Sequence, residues 1–136
     1  MIRCVRLWSG EDGQSHFAEG VIALAPGVRG DALSKTFPVG AVSFQETDAD
    51  PRLGWHTDGA RQLVITLSGE LTFETRDGAF RLKPGDILFT EDTSGRGHDW
   101  KLTGGTPWRR LYALLDPETV VPFTPADRSE RHPNKE

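Results

Sequence analysis

The 136-residue sequence contains a single cysteine, Cys4, which excludes an intramolecular disulfide framework. This cysteine lies in the alternating stretch IRCVRLW, where we expect a half-buried strand residue rather than a nucleophile. The chain also has no apolar run near the ~20 residues of a membrane span, and its start lacks the apolar core of a secretory signal. These absences predict a cytoplasmic protein with no membrane partner.

An excess of basic residues is also missing, since 16 Lys and Arg stand against 20 Asp and Glu. The net charge of −4 argues against a nucleic-acid surface, so we predict no nucleic-acid partner. Arg109 and Arg110 form the only adjacent basic pair before the C-terminal tail. Because neighbouring strand residues point to opposite faces, one of the two arginines must point inward or into an interface, where it needs an anionic partner.

Glycine and proline, in contrast, are plentiful, and 15 Gly and 9 Pro divide the chain into segments too short for an amphipathic helix. The segments between them are rich in aromatic or β-branched residues, which favours strands. The predicted strands are 2–8, 17–24, 41–45, 62–67, 71–75, 79–82, 86–90, 98–102 and 108–115. Asp77-Gly78 predicts a tight hairpin turn. The sequence therefore predicts an all-β sandwich or barrel of antiparallel strands.

The stretch GWHTDGARQLVITLSGE, residues 54–70, places three polar side chains just before an apolar run. His56, Asp58 and Gln62 have the same parity, so they face the same side if the segment is extended. They are then either solvated turn residues or the wall of a site. Thr66 shares their parity, whereas Leu63, Ile65 and Leu67 should point away and pack beneath a second layer.

The spacing of this stretch resembles the first motif of the small single-domain cupins. His56-Thr-Asp58, three residues, Gln62, six residues and Gly69 match that motif in position. Asp58 replaces the family's second histidine, and Gln62 replaces its usual glutamate.

A second cupin motif is similar to Pro84-Gly85-Asp86 followed by Gly95-Arg-Gly-His98, although Thr93 and Leu102 replace its usual proline and asparagine. The resemblance covers about residues 40–115. It implies a cupin-type double-stranded β-helix, or jelly-roll barrel.

The resemblance to small cupins also implies one domain over residues 1–136 and a homodimer. We expect an N-terminal strand segment at 1–25 and a C-terminal arm at 116–136, with a frayed end. Residues 2–8 and the apolar segment PETVVPF are suited either to edge strands, which a second copy could cover, or to packing.

A metal site is the first functional hypothesis. His56, Asp58, Gln62 and His98 could supply two imidazole nitrogens and two oxygens, a set that suits Fe, Mn, Ni or Zn. Trp100 shares the parity of His98, so it should line the same pocket together with Thr66. The implied protein is a metal-dependent isomerase, lyase or dioxygenase that acts on a small organic molecule.

The second hypothesis is a metal-free cupin that binds or senses a small molecule without catalysis. Asp58 and Gln62 favour it, because both replace the usual metal ligands. Simpler interpretations also stand: Asp58-Gly59 is a common turn pair, and His98 after Gly-Arg-Gly could be a hydrogen-bonded loop residue. His16 and His132 lack partners at ligand spacing, and we expect them at the surface.

Overall fold

The computed structural model describes residues 1–48 and 54–126, and within these ranges every regular element is a β-strand. The strands are β1 (Arg3–Ser9), β2 (Ser15–Ile22), β3 (Ala25–Pro26), β4 (Ala32–Leu33), β5 (Ala41–Thr47), β6 (Gln62–Ser68), β7 (Glu70–Thr75), β8 (Gly78–Leu82), β9 (Ile87–Glu91), β10 (Asp99–Thr103), β11 (Trp108–Leu114) and β12 (Phe123–Pro125). All nine predicted segments form strands. The very short β3, β4 and β12 were not predicted.

Two sheets form the body of the molecule. The larger sheet has the order β12-β2-β1-β9-β6-β11-β5, and the smaller one has the order β10-β7-β8. Neighbouring strands are antiparallel except β1 and β9, which run parallel. β1 therefore lies inside the larger sheet, so residues 2–8 pack in its interior and do not form an edge strand. The described edges of this sheet are β12 and β5.

The main core fills the space between the two sheets, because alternate residues of each strand point inward. Its buried members come from seven strands: Val5, Leu7, Val64, Leu71, Phe73, Phe80, Leu82, Leu88, Trp100 and Trp108. The aromatic rings of Phe73 and Phe80 stack with centroids 5.2 Å apart. Burial of this apolar surface is the main force that holds the sheets together.

A second cluster lies on the opposite face of the larger sheet. It joins Cys4, Leu63, Phe89 and Ala113 to Leu115 and Val121, which follow β11 in the chain. Cys4 is fully buried there, and burial raises the pKa of its thiol to about 12, as expected for a structural residue.

The outer face of β6 is only partly covered. Leu63 packs into the second cluster as predicted, but Ile65 is half-buried and Leu67 is exposed. The expectation that all three residues pack beneath a second layer is therefore wrong for Ile65 and Leu67. The second cluster forms where residues 115–121 cross this face, a long-range contact that strand parity does not reveal.

Among the residues that the structure describes, none belongs to a helix with the length and apolar character needed to cross a membrane.

Candidate functional site

A cavity of about 250 Å³ opens between the two sheets at one end of the main core. Its apolar wall is Val64, Phe73, Leu88, Trp100 and Trp108. Its polar lining is Gln45, Thr47, His56, Asp58, His98, Arg110 and Tyr112. Seven of the twelve lining residues are polar, so the cavity joins an aromatic wall to more hydrogen-bonding groups than a small-molecule site usually has.

The backbone brings the two cavity histidines together. His56 and His98 form an isolated antiparallel bridge, with N···O distances of 2.9 and 2.8 Å. Their imidazole centroids lie 4.9 Å apart. Gly97 makes this approach possible, because a β-carbon at that position would lie 2.1 Å from the carbonyl oxygen of His56.

Each imidazole is held by a hydrogen bond on its Nδ1 atom. His98 Nδ1 donates to the buried carboxylate of Asp92 over 2.7 Å, and His56 Nδ1 donates to the carbonyl of Gly54 over 2.9 Å. Because Nδ1 is the donor in both rings, Nε2 is the nitrogen left for other partners.

Asp92 fixes the position of His98 through the hydrogen bond that it accepts from Nδ1. Its carboxylate also accepts hydrogen bonds from the hydroxyls of Ser9 and Ser15. Burial alone would raise the pKa of Asp92, but the bonds from His98, Ser15 and Ser9 outweigh it and lower the pKa below its usual value. Asp92 is therefore an ionised partner that fixes the ring orientation of His98.

The pKa of Asp58 is shifted in the opposite direction to that of Asp92. Its carboxyl lies in the cavity wall, accepts a hydrogen bond from Thr90 and approaches His98 Nε2 to 3.6 Å. Burial raises its pKa above the usual value, because the charged form loses its hydration. A carboxyl that holds its proton more readily can donate a hydrogen bond to a ligand, while Nε2 of His98 can accept one.

The adjacent arginines divide as strand parity predicts. Arg109 points outward, is half-exposed and pairs with Glu46, whereas Arg110 points into the cavity and is 3% exposed. Its guanidinium carbon lies 3.7 Å from the centre of the Trp108 ring. Strand parity shows that one of the two is inward but not which one.

The structure places the other predicted site residues as follows. Trp100 lines the cavity, and Thr66 is buried next to its wall, where it accepts a hydrogen bond from Trp108 Nε1 over 3.3 Å. Gln62 is half-buried at the start of β6 and is not among the lining residues. His16 lies near the surface between Asp12 and Asp77, and His132 lies outside the described residues.

The site residues do not fit a metal ion well. Within residues 1–48 and 54–126, no three His, Cys, Asp or Glu side chains converge closely enough to hold one. Gln62, a predicted ligand, is also absent from the cavity lining. We therefore derive no chemical step that requires a metal.

Sequence reasoning missed Asp92 and Tyr112. Asp92 lies in EDTSGRG, a run that indicates a solvated turn, and nothing local shows that Ser9 and Ser15 cover it. Tyr112 could have been found by parity, since it lies two residues from Arg110 on the same strand and therefore shares its face.

The two sheets and the polar cavity between them define a barrel of the cupin type. Residues 39–133 match the family model described as the AraC-like ligand binding domain. The chain belongs to this family, which has the cupin fold, so the predicted all-β cupin barrel is confirmed. The comparison with curated proteins gave no match.

Proposed function

We propose that this chain binds a small organic molecule in the cavity between its sheets and that it does so without a metal. The observation that carries the proposal is the cavity of about 250 Å³, where His56, Asp58 and His98 meet an aromatic wall. At roughly 30 Å³ per water-sized group, this space suits a ligand of about eight to ten non-hydrogen atoms. A binding or sensing role follows, rather than metal-dependent catalysis.

The polar groups support recognition of a hydroxyl or carbonyl group. Nε2 of His98 can accept a hydrogen bond from a hydroxyl, and the carboxyl of Asp58 can accept one when ionised or donate one when protonated. Asp92 and the His56–His98 bridge hold these groups in place before a ligand arrives. Such preorganisation reduces the entropic cost of binding.

A thermal-shift screen with a library of small polar metabolites tests this proposal. We expect a subset to raise the melting temperature of the wild type but not of Val64→Phe, in which the added ring occupies the cavity. Leu67→Phe is the matched control, because Leu67 lies on the same strand with an exposed side chain. If Val64→Phe keeps the wild-type response, the ligand binds elsewhere and the proposal fails.

Dialysis against Zn²⁺, Mn²⁺, Ni²⁺ or Fe²⁺ tests the metal-free part of the proposal. We expect no stoichiometric uptake and no change in melting temperature. Uptake of one equivalent that is lost in a His56→Ala, His98→Ala double variant would instead favour the metal-dependent enzyme.

We also propose that the chain forms a homodimer through β5. This edge strand carries two exposed apolar side chains, Val42 and Phe44, and Leu67 is exposed on the same sheet. Isolated apolar residues are ordinary at a surface, but a group of them on an open sheet edge favours association with a second copy.

A further inference from the structure

Arg110 is a buried cation that has no anionic partner among the residues that the structure describes. No carboxylate in residues 1–48 and 54–126 lies within 4 Å of its guanidinium, in contrast with the neighbouring Arg109, which pairs with Glu46 at 2.5 Å. Burying an unpaired charge is costly, and stacking on an aromatic ring offsets only part of that cost. An anionic ligand in the cavity would supply the counter-charge that this inward-facing arginine lacks.

Neutral groups hold the guanidinium in place but do not use all of its donors. Nη1 donates to Thr47 Oγ1 over 2.8 Å and to the carbonyl of Trp108 over 3.1 Å, while Nε donates to the hydroxyl of Tyr112 over 3.1 Å. Nη2 makes no hydrogen bond with any described residue. One edge of the guanidinium therefore keeps free donors in the lining of the cavity.

Two hydroxyls next to the guanidinium extend the donor set. Tyr112 and Thr47 accept hydrogen bonds from Arg110 through their oxygen atoms, which leaves the O–H of each free to donate. Three side chains that can donate, one of them charged, therefore line the same cavity. A planar carboxylate matches such a set better than a neutral hydroxyl, because each of its oxygens accepts more than one hydrogen bond.

We infer that the ligand of this cavity is a small carboxylic acid whose carboxylate pairs with Arg110 and bonds to the hydroxyls of Tyr112 and Thr47. This inference rests on the proposed function, because it assigns a chemical class to the ligand of the same cavity. Trp100 and Trp108 flank the carbon skeleton of the acid. A second polar group of the acid, a hydroxyl or a carbonyl, meets His98 and Asp58.

The test is a panel of small acids, each paired with its neutral amide: lactate with lactamide, benzoate with benzamide, and mandelate with mandelamide. Inorganic phosphate serves as the other anion. We measure melting temperatures first and then dissociation constants by calorimetry on the full chain. We expect acids to bind with a stoichiometry of one per chain, and we expect their amides and phosphate to bind at least tenfold more weakly.

Arg110→Gln and Arg109→Gln form the matched pair of variants. Loss of the charge-assisted bond in Arg110→Gln should weaken acid binding by about tenfold or more, whereas Arg109→Gln should bind as the wild type does. If Arg110→Gln does not fold, Tyr112→Phe and Thr47→Val carry the test, each with a weakening of about threefold or more.

Several results would overturn the inference while the proposed function stands. The first is equal binding of acids and amides. The second is an equal loss of acid binding in the two arginine variants. The third is a rise in melting temperature with neutral library compounds alone. Phosphate that binds as well as the acids would also reject the carboxylate. Acid binding that persists unchanged in Val64→Phe would instead contradict the cavity as the site, and with it the proposed function.

Discussion

At the scale of single residues, the hydrogen bond between Asp92 and His98 supports both stability and recognition. Both side chains are essentially fully buried, and their atoms lie 2.7 Å apart. A hydrogen bond to a charged group contributes more than one between neutral groups, and removing one buried partner leaves the other unsatisfied. The cavity therefore owes the fixed orientation of His98 to a residue that lies outside the cavity lining.

We predict that Asp92→Asn lowers the free energy of unfolding by about 2–4 kcal/mol, because an amide offers one acceptor oxygen to three donors. Urea denaturation at pH 7 measures this change. Asp31→Asn, at an exposed loop position, should change stability by less than about 0.5 kcal/mol. Equal effects of the two substitutions would show that the Asp92 network contributes little.

The contribution of Asp92 to the free energy of unfolding changes with pH in a definite direction. Because the pKa of Asp92 is lowered in the folded state, its contribution is present above the unfolded pKa of about 3.9 and is lost as the pH falls through the folded value. The stability difference between wild type and Asp92→Asn should therefore shrink on acidification below about pH 4. Denaturation curves from pH 3 to pH 7 check this.

At the scale of elements, the bridge between His56 and His98 depends on Gly97. This glycine has a φ of +85°, and an added β-carbon would collide with the backbone of His56. Gly85 has a similar φ of +93°, but no atom lies within 4 Å of the position of its β-carbon. Substitutions at the two glycines therefore distinguish the cost of backbone strain from the cost of steric collision.

We predict that Gly85→Ala lowers the free energy of unfolding by about 1–2 kcal/mol, the cost of a left-handed conformation. Gly97→Ala should lower it by about 3–5 kcal/mol, because displacement of the bridge adds an overpacking cost. Urea denaturation compares the two variants, and thermal shift tests whether Gly97→Ala also loses ligand binding. Equal destabilisation by both substitutions would mean that the close contact is easily relieved.

A histidine also links the two sheets at their turns. His16 contacts Asp12 in the β1–β2 turn and Asp77 in the β7–β8 turn, each at 3.0 Å. The hydrogen bonds that the imidazole donates to Asp12 and Asp77 raise the pKa of His16 above its usual value. The imidazolium form therefore connects the two hairpins.

We predict that the His16 contribution to stability is fully present below about pH 6.5, the unfolded pKa, and is lost as the pH rises through the higher folded value. The urea midpoints of wild type and His16→Gln should then differ most at pH 5.5–6.5 and converge toward pH 9. Asp77→Asn should reduce this pH dependence. A constant difference between the two proteins across this range would reject the charged contact.

Strand positions could be predicted from the sequence because each strand has a local pattern of apolar and β-branched residues between turn signals. Parity also placed Arg110 or Arg109 inward and Trp100 on the face of His98. Three things lacked a local signal: the parallel pairing of β1 with β9, the short strands β3, β4 and β12, and the burial of Asp92. The β1–β9 pairing, β12 and the burial of Asp92 depend on segments far apart in sequence. In contrast, β3 and β4 form a local hairpin with only two residues in each strand, too short for a strand pattern.

At the scale of the whole molecule, the larger sheet ends in an edge, β5, that no other strand of the described residues covers. Within residues 1–48 and 54–126, β5 pairs only with β11, and nearly all of its residues are exposed. Such an edge presents unpaired backbone donors and acceptors to any extended strand, which makes a monomer prone to aggregation. Pairing or packing against a second copy would remove these groups from water.

We predict that the protein is a dimer at micromolar concentration, with a mass by light scattering of about twice the 15.0 kDa of one chain. Phe44→Ser should shift the mass toward that of a monomer, because Phe44 is the most exposed of the large apolar residues on β5, at 72%. Val120→Ser is the matched control, since Val120 is 83% exposed but lies in the segment after β11. If the dimer forms through β5, only Phe44→Ser should lower the mass. A monomeric wild type, or a dimer that only Val120→Ser disrupts, would rule out β5 as the interface.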